Sequence, residues 1–271
     1  AVVFAVAVVW VGWMWWESRL PATYSAVSMH IGHQNHSSST APVDVATLTA
    51  DPNQPADVRL ALKARTASLT NSNGAIFRGY TLNGSSPGPE IRAREGDLVE
   101  VTLHNIDVEG GTTLHWHGVD VPAAMDGVAG VTQDAVQPGD SFTYRFLAED
   151  PGTYWYHSHQ VSHEQVIAGL LGALVIEPED AAGQDEDVTM LLHTYPGGSR
   201  TIAAVPGETR RELPPGTTVR VRAINTDNLT AFVWVSGADT RLLAVDGRDV
   251  NKPGVVKQQK IRLAAGARAD L

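Results

Sequence analysis

Cysteine is absent from the 271 residues. That excludes a disulfide framework, a thiolate zinc site, a cysteine nucleophile and a blue-copper centre built wholly within this chain. Basic residues are few beside acidic ones, 20 against 30, for a net charge of −10. A sequence-independent grip on nucleic acid needs clustered Lys and Arg, so no nucleic-acid partner is expected. Length and an apolar content of 43% fit roughly two domains with packed cores rather than a disordered chain. With cysteine gone, the ten histidines are the side chains from which metal chemistry can be built.

Long apolar runs are also scarce. The one at residues 1–16, AVVFAVAVVWVGWMWW, ends at Glu17 and is slightly short of the roughly 20 residues a spanning helix needs. Trp10, Trp13, Trp15 and Trp16 gather at one end as an interfacial aromatic belt does. We read residues 1–20 as the end of a transmembrane helix, ahead of an apolar strand or a signal-peptide core lacking its basic lead and cleavage site. Arg19 alone does not fix the orientation. Residues 21–56, with Pro, Ser, Asn, Asp and little periodicity, read as a flexible linker. It holds Met29, His30, His33 and His36, whose thioether and imidazole groups suit cuprous ion, although a solvated histidine-bearing tether is the preferred reading.

From about residue 57 the pattern turns to half-buried strands, with Leu60 and Leu62, then Val99, Val101 and Leu103, then Phe142, Tyr144 and Phe146 alternating with other residues. Ser86-Pro87-Gly88-Pro89, Glu95-Gly96-Asp97, Gln137-Pro138-Gly139-Asp140 and Asp150-Pro151-Gly152 interrupt them with turn chemistry, which predicts an antiparallel sandwich or barrel over 57–179. Val166 to Ile176 reads as one central strand entered through Gly169 and Gly172, and the acidic piece Glu177 to Asp187 as an interdomain connection. Thr218 to Ile224, Ala231 to Val235 and Arg241 to Val245 open a second all-β unit over 180–271. It stops at Leu271, short of the roughly 100 residues a β-sandwich takes, so the sequence reads as a fragment of a longer chain.

The chemistry concentrates in Leu114-His115-Trp116-His117-Gly118 and Tyr154-Trp155-Tyr156-His157-Ser158-His159. In a strand, residues i and i+2 share a face and lie about 6.6 Å apart, so each motif lines one face with two imidazoles while Trp116 or Ser158 points away. Two such strands facing each other would hold a cluster of ions rather than a single one. The bland alternative is four surface or core histidines. Burying them without partners costs about 1–3 kcal/mol each, which favours metal ligation. Imidazole alone leaves zinc, copper and iron open. His104, His163 and His193 stand alone and read as structural or surface residues.

His115-Trp116-His117-Gly118, Met125-Asp126-Gly127, Val131-Thr132-Gln133, Gln137-Pro138-Gly139, Gly152 to His159 and Gly169-Leu170-Leu171-Gly172 resemble, in order and spacing, the first cupredoxin domain of the laccase-like multicopper oxidases. Val219 to Asn225, Val245-Asp246-Gly247 and Gly266 to Asp270 look more loosely like the middle domain. The resemblance implies an all-β fold of tandem cupredoxin-like Greek-key β-sandwiches, the second incomplete, behind an N-terminal apolar helix. It implies that His115 binds the type 2 copper and that His117, His157 and His159 bind the type 3 pair. The other ligands of the trinuclear cluster, and the type 1 copper, are expected in a missing C-terminal domain.

Asp126 sits where the family carries a carboxylate near the cluster. That suggests a proton relay for dioxygen reduction, against the alternative of a turn aspartate in an Asp-Gly pair. Trp116, Tyr154 and Trp155 read as packing that fixes ligand rotamers. The implied activity is one-electron oxidation of a small reducing substrate, phenolic or metal ion, coupled to four-electron reduction of dioxygen to water, with the fragment alone inactive. Kinship places the β domains outside the cytoplasm, and the apolar run at 1–16 anchors them to a membrane. The alternative is a non-catalytic copper-binding or copper-handling protein.

Overall fold

The computed structural model describes residues 9–15, 45–179, 185–202, 210–257 and 259–271. Met29, His30, His33 and His36 lie outside the described residues. Residues 9–15 are helical and exposed, and among the described residues no helix is long and apolar enough to cross a membrane.

The first unit has eight strands: β1 (Val58–Thr70), β2 (Ile76–Leu82), β3 (Ile91–Arg94), β4 (Leu98–Asn105), β5 (His115–His117), β6 (Ser141–Leu147), β7 (Gly152–His157) and β8 (Leu171–Glu177). They form two sheets, ordered β2-β1-β4-β6 and β3-β8-β7-β5. The alternation of β4 sends Val99, Val101 and Leu103 into the core. Their antiparallel partners on β6 are Phe146, Tyr144 and Phe142, so apolar side chains oppose apolar ones. A slip of one residue would turn both rows to solvent, which is what fixes this register. From the second sheet Trp116, Tyr154 and Tyr156 complete the core. Trp116 lies 4.7 Å from Phe146, ring centre to ring centre, and its indole N–H donates to Met125 O at 3.0 Å.

Residues 45–54, within the stretch read as a linker, rest on this sandwich. Ala124 N–H donates to Leu48 O at 3.1 Å, and the Arg145 guanidinium donates to the carbonyls of Asp51 and Gln54. Val166 to Ile176 is not one strand. Ser162–Ile167 is a short helix burying Gln165 and Val166, Gly169 takes φ +123°, and β8 begins only at Leu171. A short buried helix and a buried strand carry the same continuous apolar signal, so periodicity does not separate them.

The second unit has β9 (Glu186–His193), β10 (Thr201–Ile202), β11 (Val219–Asn225), β12 (Ala231–Val233), β13 (Ala244–Val245), β14 (Arg248–Asp249), β15 (Ile261–Leu263) and β16 (Arg268–Asp270). Its main sheet runs β10-β9-β11-β16-β13-β14, with β12 and β15 paired separately. This unit covers the outer face of β7, which explains why all six β7 residues are buried. Tyr154 and Tyr156 fill the first core, while Trp155 packs the other way with Leu191 and Ile224. Arg222, almost fully buried, binds Asp187 at 2.8 Å, Asp270 at 3.2 Å and Thr153 Oγ1 at 2.8 Å. Thr153 Oγ1 donates to Asp270 Oδ1 at 2.7 Å, and Arg268 Nε donates to Thr153 O at 3.0 Å. The strand that ends at His157 is thereby fastened to both units.

Candidate metal centre

β5 and β7 are antiparallel neighbours with His115 opposite His157, Trp116 opposite Tyr156 and His117 opposite Trp155. The two motifs therefore meet side by side on one sheet, where spacing alone suggested strands facing each other. Directly opposed residues share a face, so the ladder itself pairs the imidazoles. Trp116 and Tyr156 point into the core on the other face. Beyond the end of β7, Ser158 is fully buried and its Oγ donates to Gln165 Oε1 at 2.5 Å. The next residue, His159, is held by its backbone N–H, which donates to Thr113 Oγ1 at 3.2 Å.

The four rings converge. From the His115 centroid those of His117, His157 and His159 lie 6.0, 5.2 and 5.3 Å away. His157 is 5.6 Å from His117 and 6.3 Å from His159. One ring nitrogen from each of His115, His117 and His157 falls within 4.8 Å of the others. Trp155 stacks beneath His117 and His157 at 4.7 and 4.3 Å, which restricts both rings.

Outer nitrogens are occupied in the manner that orients metal ligands. His115 Nδ1–H donates to Asp126 O at 2.9 Å, with Asp126 Oδ1 at 3.1 Å. His157 Nδ1–H donates to Ser158 O at 2.8 Å, which leaves its Nε2 as the lone-pair nitrogen, 3.4 Å from His117 Nδ1. Gly127 makes the first contact possible. It sits at φ +71°, and a Cβ there would lie 1.8 Å from Leu114 O, so only glycine lets the loop carrying Asp126 press against β5.

Burial pushes the His157 imidazole down to about 3, with the other three rings adding to the effect. His117 is lowered to about 4, first by burial and then by Arg268 and His115. Both are held neutral, the form that ligates metal. Burial also penalises charge on His115, but the hydrogen bonds and charge of Asp126 outweigh it and hold this ring above its ordinary value. Asp126 is correspondingly held below the usual carboxylate range by His115.

The imidazoles open on a cavity of about 400 Å³ whose far wall is Ser162, His163 and Val166 together with Thr226, Asp227, Asn228, Ala265 and Gly266 of the second unit. Gly266 comes closest, since a Cβ on it would meet the His117 ring at 2.8 Å. The sequence carried no sign that these second-unit residues close the site. Gly266 stood out only as part of Gly266 to Asp270, a marker of the fold. His163 lines the cavity, whereas His193 is buried away from the imidazoles at the contact between the units. His104 lies on β4, which belongs to the other sheet.

The family model of multicopper oxidases matches residues 64–181. A copper resistance protein A homolog of Pseudomonas syringae pv. tomato is 44% identical over 124 residues, 45% of this chain and 20% of the relative. The L-ascorbate oxidase of Cucumis sativus is 42% identical over 121 residues, 42% of this chain and 20% of the relative. The iron transport multicopper oxidase fetC of Epichloe festucae is 34% identical over 206 residues, 65% of this chain and 33% of the relative. The chain thus spans between a fifth and a third of the length of these curated relatives. Among solved structures, a multi-copper oxidase from Pseudomonas Thermotolerans superposes with a TM-score of 0.70 at 34% identity, over 78% of this chain and 56% of that one. The blue copper oxidase of Nitrosomonas europaea gives 0.71 at 28% identity, over 78% and 74%. These likenesses confirm the cupredoxin-like all-β sandwich, and residues 64–181 are similar to a multicopper oxidase domain.

Proposed function

We propose that this chain supplies half of the histidine ligands of a trinuclear copper cluster in an oxidase that couples one-electron oxidation of a reducing substrate to reduction of dioxygen to water. The observation that carries the reading is the convergence of His115, His117, His157 and His159 on one cavity, with the outer nitrogens of His115 and His157 bonded to carbonyls and one nitrogen each of His115, His117 and His157 turned together. The donor set fits copper: the family binds it, imidazole is a good ligand for it, and two of the rings are held in the neutral form.

His115 would hold the type 2 ion, and His117, His157 and His159 the type 3 pair. Copper, when bound, supplies the one-electron steps by which four electrons reach dioxygen, and four protons must accompany them to make two waters. Asp126 Oδ1 lies within hydrogen-bonding distance of His115 Nδ1. It orients that ring, and its carboxylate is placed to pass protons toward the cavity. Ser158, Gln165 and Thr113 hold the turn that presents His159, and Gly266 closes the cavity over His117.

The reducing substrate belongs to a phenolic or metal-ion class, in keeping with relatives named laccase, ascorbate oxidase and iron transport oxidase. The apolar run at 1–16, with Trp10, Trp13 and Trp15 exposed, supports a membrane tether, and the likeness to multicopper oxidases supports β domains outside the cytoplasm.

The test is copper content and dioxygen uptake measured together on the full gene product with a phenol and with cuprous ion. Copper-dependent uptake that disappears in His157→Ala supports the oxidase. Copper retained at the four histidines with no uptake on either substrate supports the copper-handling alternative, which the copper resistance relatives favour.

A further inference from the structure

Of the three imidazoles whose nitrogens meet, two are oriented from within the first unit. His115 and His157 each turn an outer nitrogen to a main-chain carbonyl. His117 is set the other way round. Its Nδ1 faces inward, 3.4 Å from His157 Nε2, so Nε2 is its outer nitrogen, and among the described residues no carbonyl or carboxylate is bonded to it. What meets that edge of the ring is Gly266 of the second unit, where a Cβ would lie 2.8 Å from both Cε1 and Nε2 of His117. With Trp155 stacked beneath at 4.7 Å, the imidazole has one wall from each unit.

Gly266 is itself held in place. It takes φ +74°, a conformation that favours glycine. Its N–H donates to Asn225 O at 2.9 Å, and its carbonyl accepts from Arg268 Nη1 at 3.3 Å. The same guanidinium donates through Nε to Thr153 O on β7 at 3.0 Å and lies over the Tyr154 ring at 5.6 Å. Its Nη2 packs against Gly118, the residue after His117, where a Cβ would come within 2.3 Å. Arg268 is 4% exposed, and Asp246 Oδ1 balances its charge at 3.3 Å. Burying a guanidinium is costly, and what its rigid planar fork gives in return is fixed geometry between acceptors on separate segments. Here the segments are β7, which carries Trp155, the loop that follows His117, and Gly266. All three frame one ring.

We infer that Arg268 is a positioning residue for His117: by fixing Gly266 against the outer edge of the ring it aims Nδ1 into the cluster, so that copper capture at this histidine depends on the docked second unit. The inference deepens the copper reading and rests on it. An imidazole with no outer hydrogen bond is free to turn its inner nitrogen away from a metal, and steric walls here do the work that carbonyls do for His115 and His157.

The experiment uses the full chain with isotope-labelled histidine and glycine. In the metal-free protein a strong nuclear Overhauser contact is expected between a Gly266 Hα and His117 Hε1, and cuprous ion is then titrated in competition with bicinchoninate. Arg268→Gln should erase that contact, leave the ring signals of His115 and His157 in place, and weaken cuprous binding about 10–100-fold, the range for loss of an outer partner. Arg268→Lys keeps the charge but not the fork, and should weaken binding nearly as much. Arg248→Gln, which cuts the exposed pair with Asp150 between the units, should change neither readout. Should Arg268→Gln not fold, Gly266→Ala makes the same test by pressing a methyl on the ring. A contact and an affinity that survive Arg268→Gln overturn the inference. So does an Arg268→Lys protein that binds like the parent, since charge alone would then suffice, or an equal loss in Arg248→Gln, which would make the effect one of docking in general. Copper retained by the parent and indifferent to these variants removes the positioning role alone; a parent that retains no copper removes the cluster reading and the role with it.

Discussion

His157 and His193 are the same side chain at similar depth, 6% and 1% exposed, and burial pushes both below the ordinary imidazole value. They differ in what meets their nitrogens. His193 has both engaged, by Ile167 O and Thr226 Oγ1, and so fastens one unit to the other. His157 has a carbonyl on one nitrogen only, and the other faces a second imidazole. A buried histidine with saturated nitrogens is a structural part, while one whose inner nitrogen meets other imidazoles is a ligand in waiting. The same contrast separates the two ends of the β7 face turned to the second unit: around Thr153, Arg222, Asp187 and Asp270 saturate each other, and around His157 the imidazoles do not.

The comparison breaks most visibly at copper retention. His117→Ala with His157→Ala should abolish copper carried through desalting, while His193→Ala should keep it; metal analysis of the three proteins decides. Next in size, Trp116→Ala removes the ring that backs the imidazole strand from the core side. It should cost about 3–5 kcal/mol in urea unfolding, the range for burying a large aromatic. Asp126→Ala leaves His115 without its carboxylate and should weaken copper binding about 10–100-fold, as loss of an outer partner does, with little change in unfolding midpoint. His193→Ala should cost about 1–3 kcal/mol by taking the buried donor from the Ile167 carbonyl and leaving a gap between the units.

The smallest effect is the pH dependence. Unfolded, His193 titrates near 6.5, and its folded value is lower. The unfolded chain therefore binds more protons below that pH. The contribution of His193 to the stability of the metal-free chain should be full above pH about 6.5 and be lost as the pH drops below it, and urea midpoints of His193→Ala should fall less steeply than those of the parent.

Legibility in the sequence followed the range of the interaction. The face-sharing of His115 with His117 is written in strand periodicity, and Val99, Val101 and Leu103 announced the core in the same way. The pairing of His115 with His157 was not legible, because it is set by a ladder between segments forty residues apart. The helix at Ser162–Ile167 was hidden because a short buried helix and a strand share an apolar run. Gly266 and Asn228 closing the site from the second unit depend on how two units dock, and no local pattern records that. Local pattern showed Asp126 only as half of an Asp-Gly turn and the family resemblance alone put it near the cluster, because its contact with His115 depends on Gly127 passing Leu114.

Diffraction from copper-soaked crystals of the chain, collected on both sides of the copper absorption edge, tests the central claim most directly. Anomalous density is expected within bonding distance of ring nitrogens of His115, His117, His157 and His159, and none at His193. Density confined to other histidines, or none between these four rings at saturating copper, would contradict it.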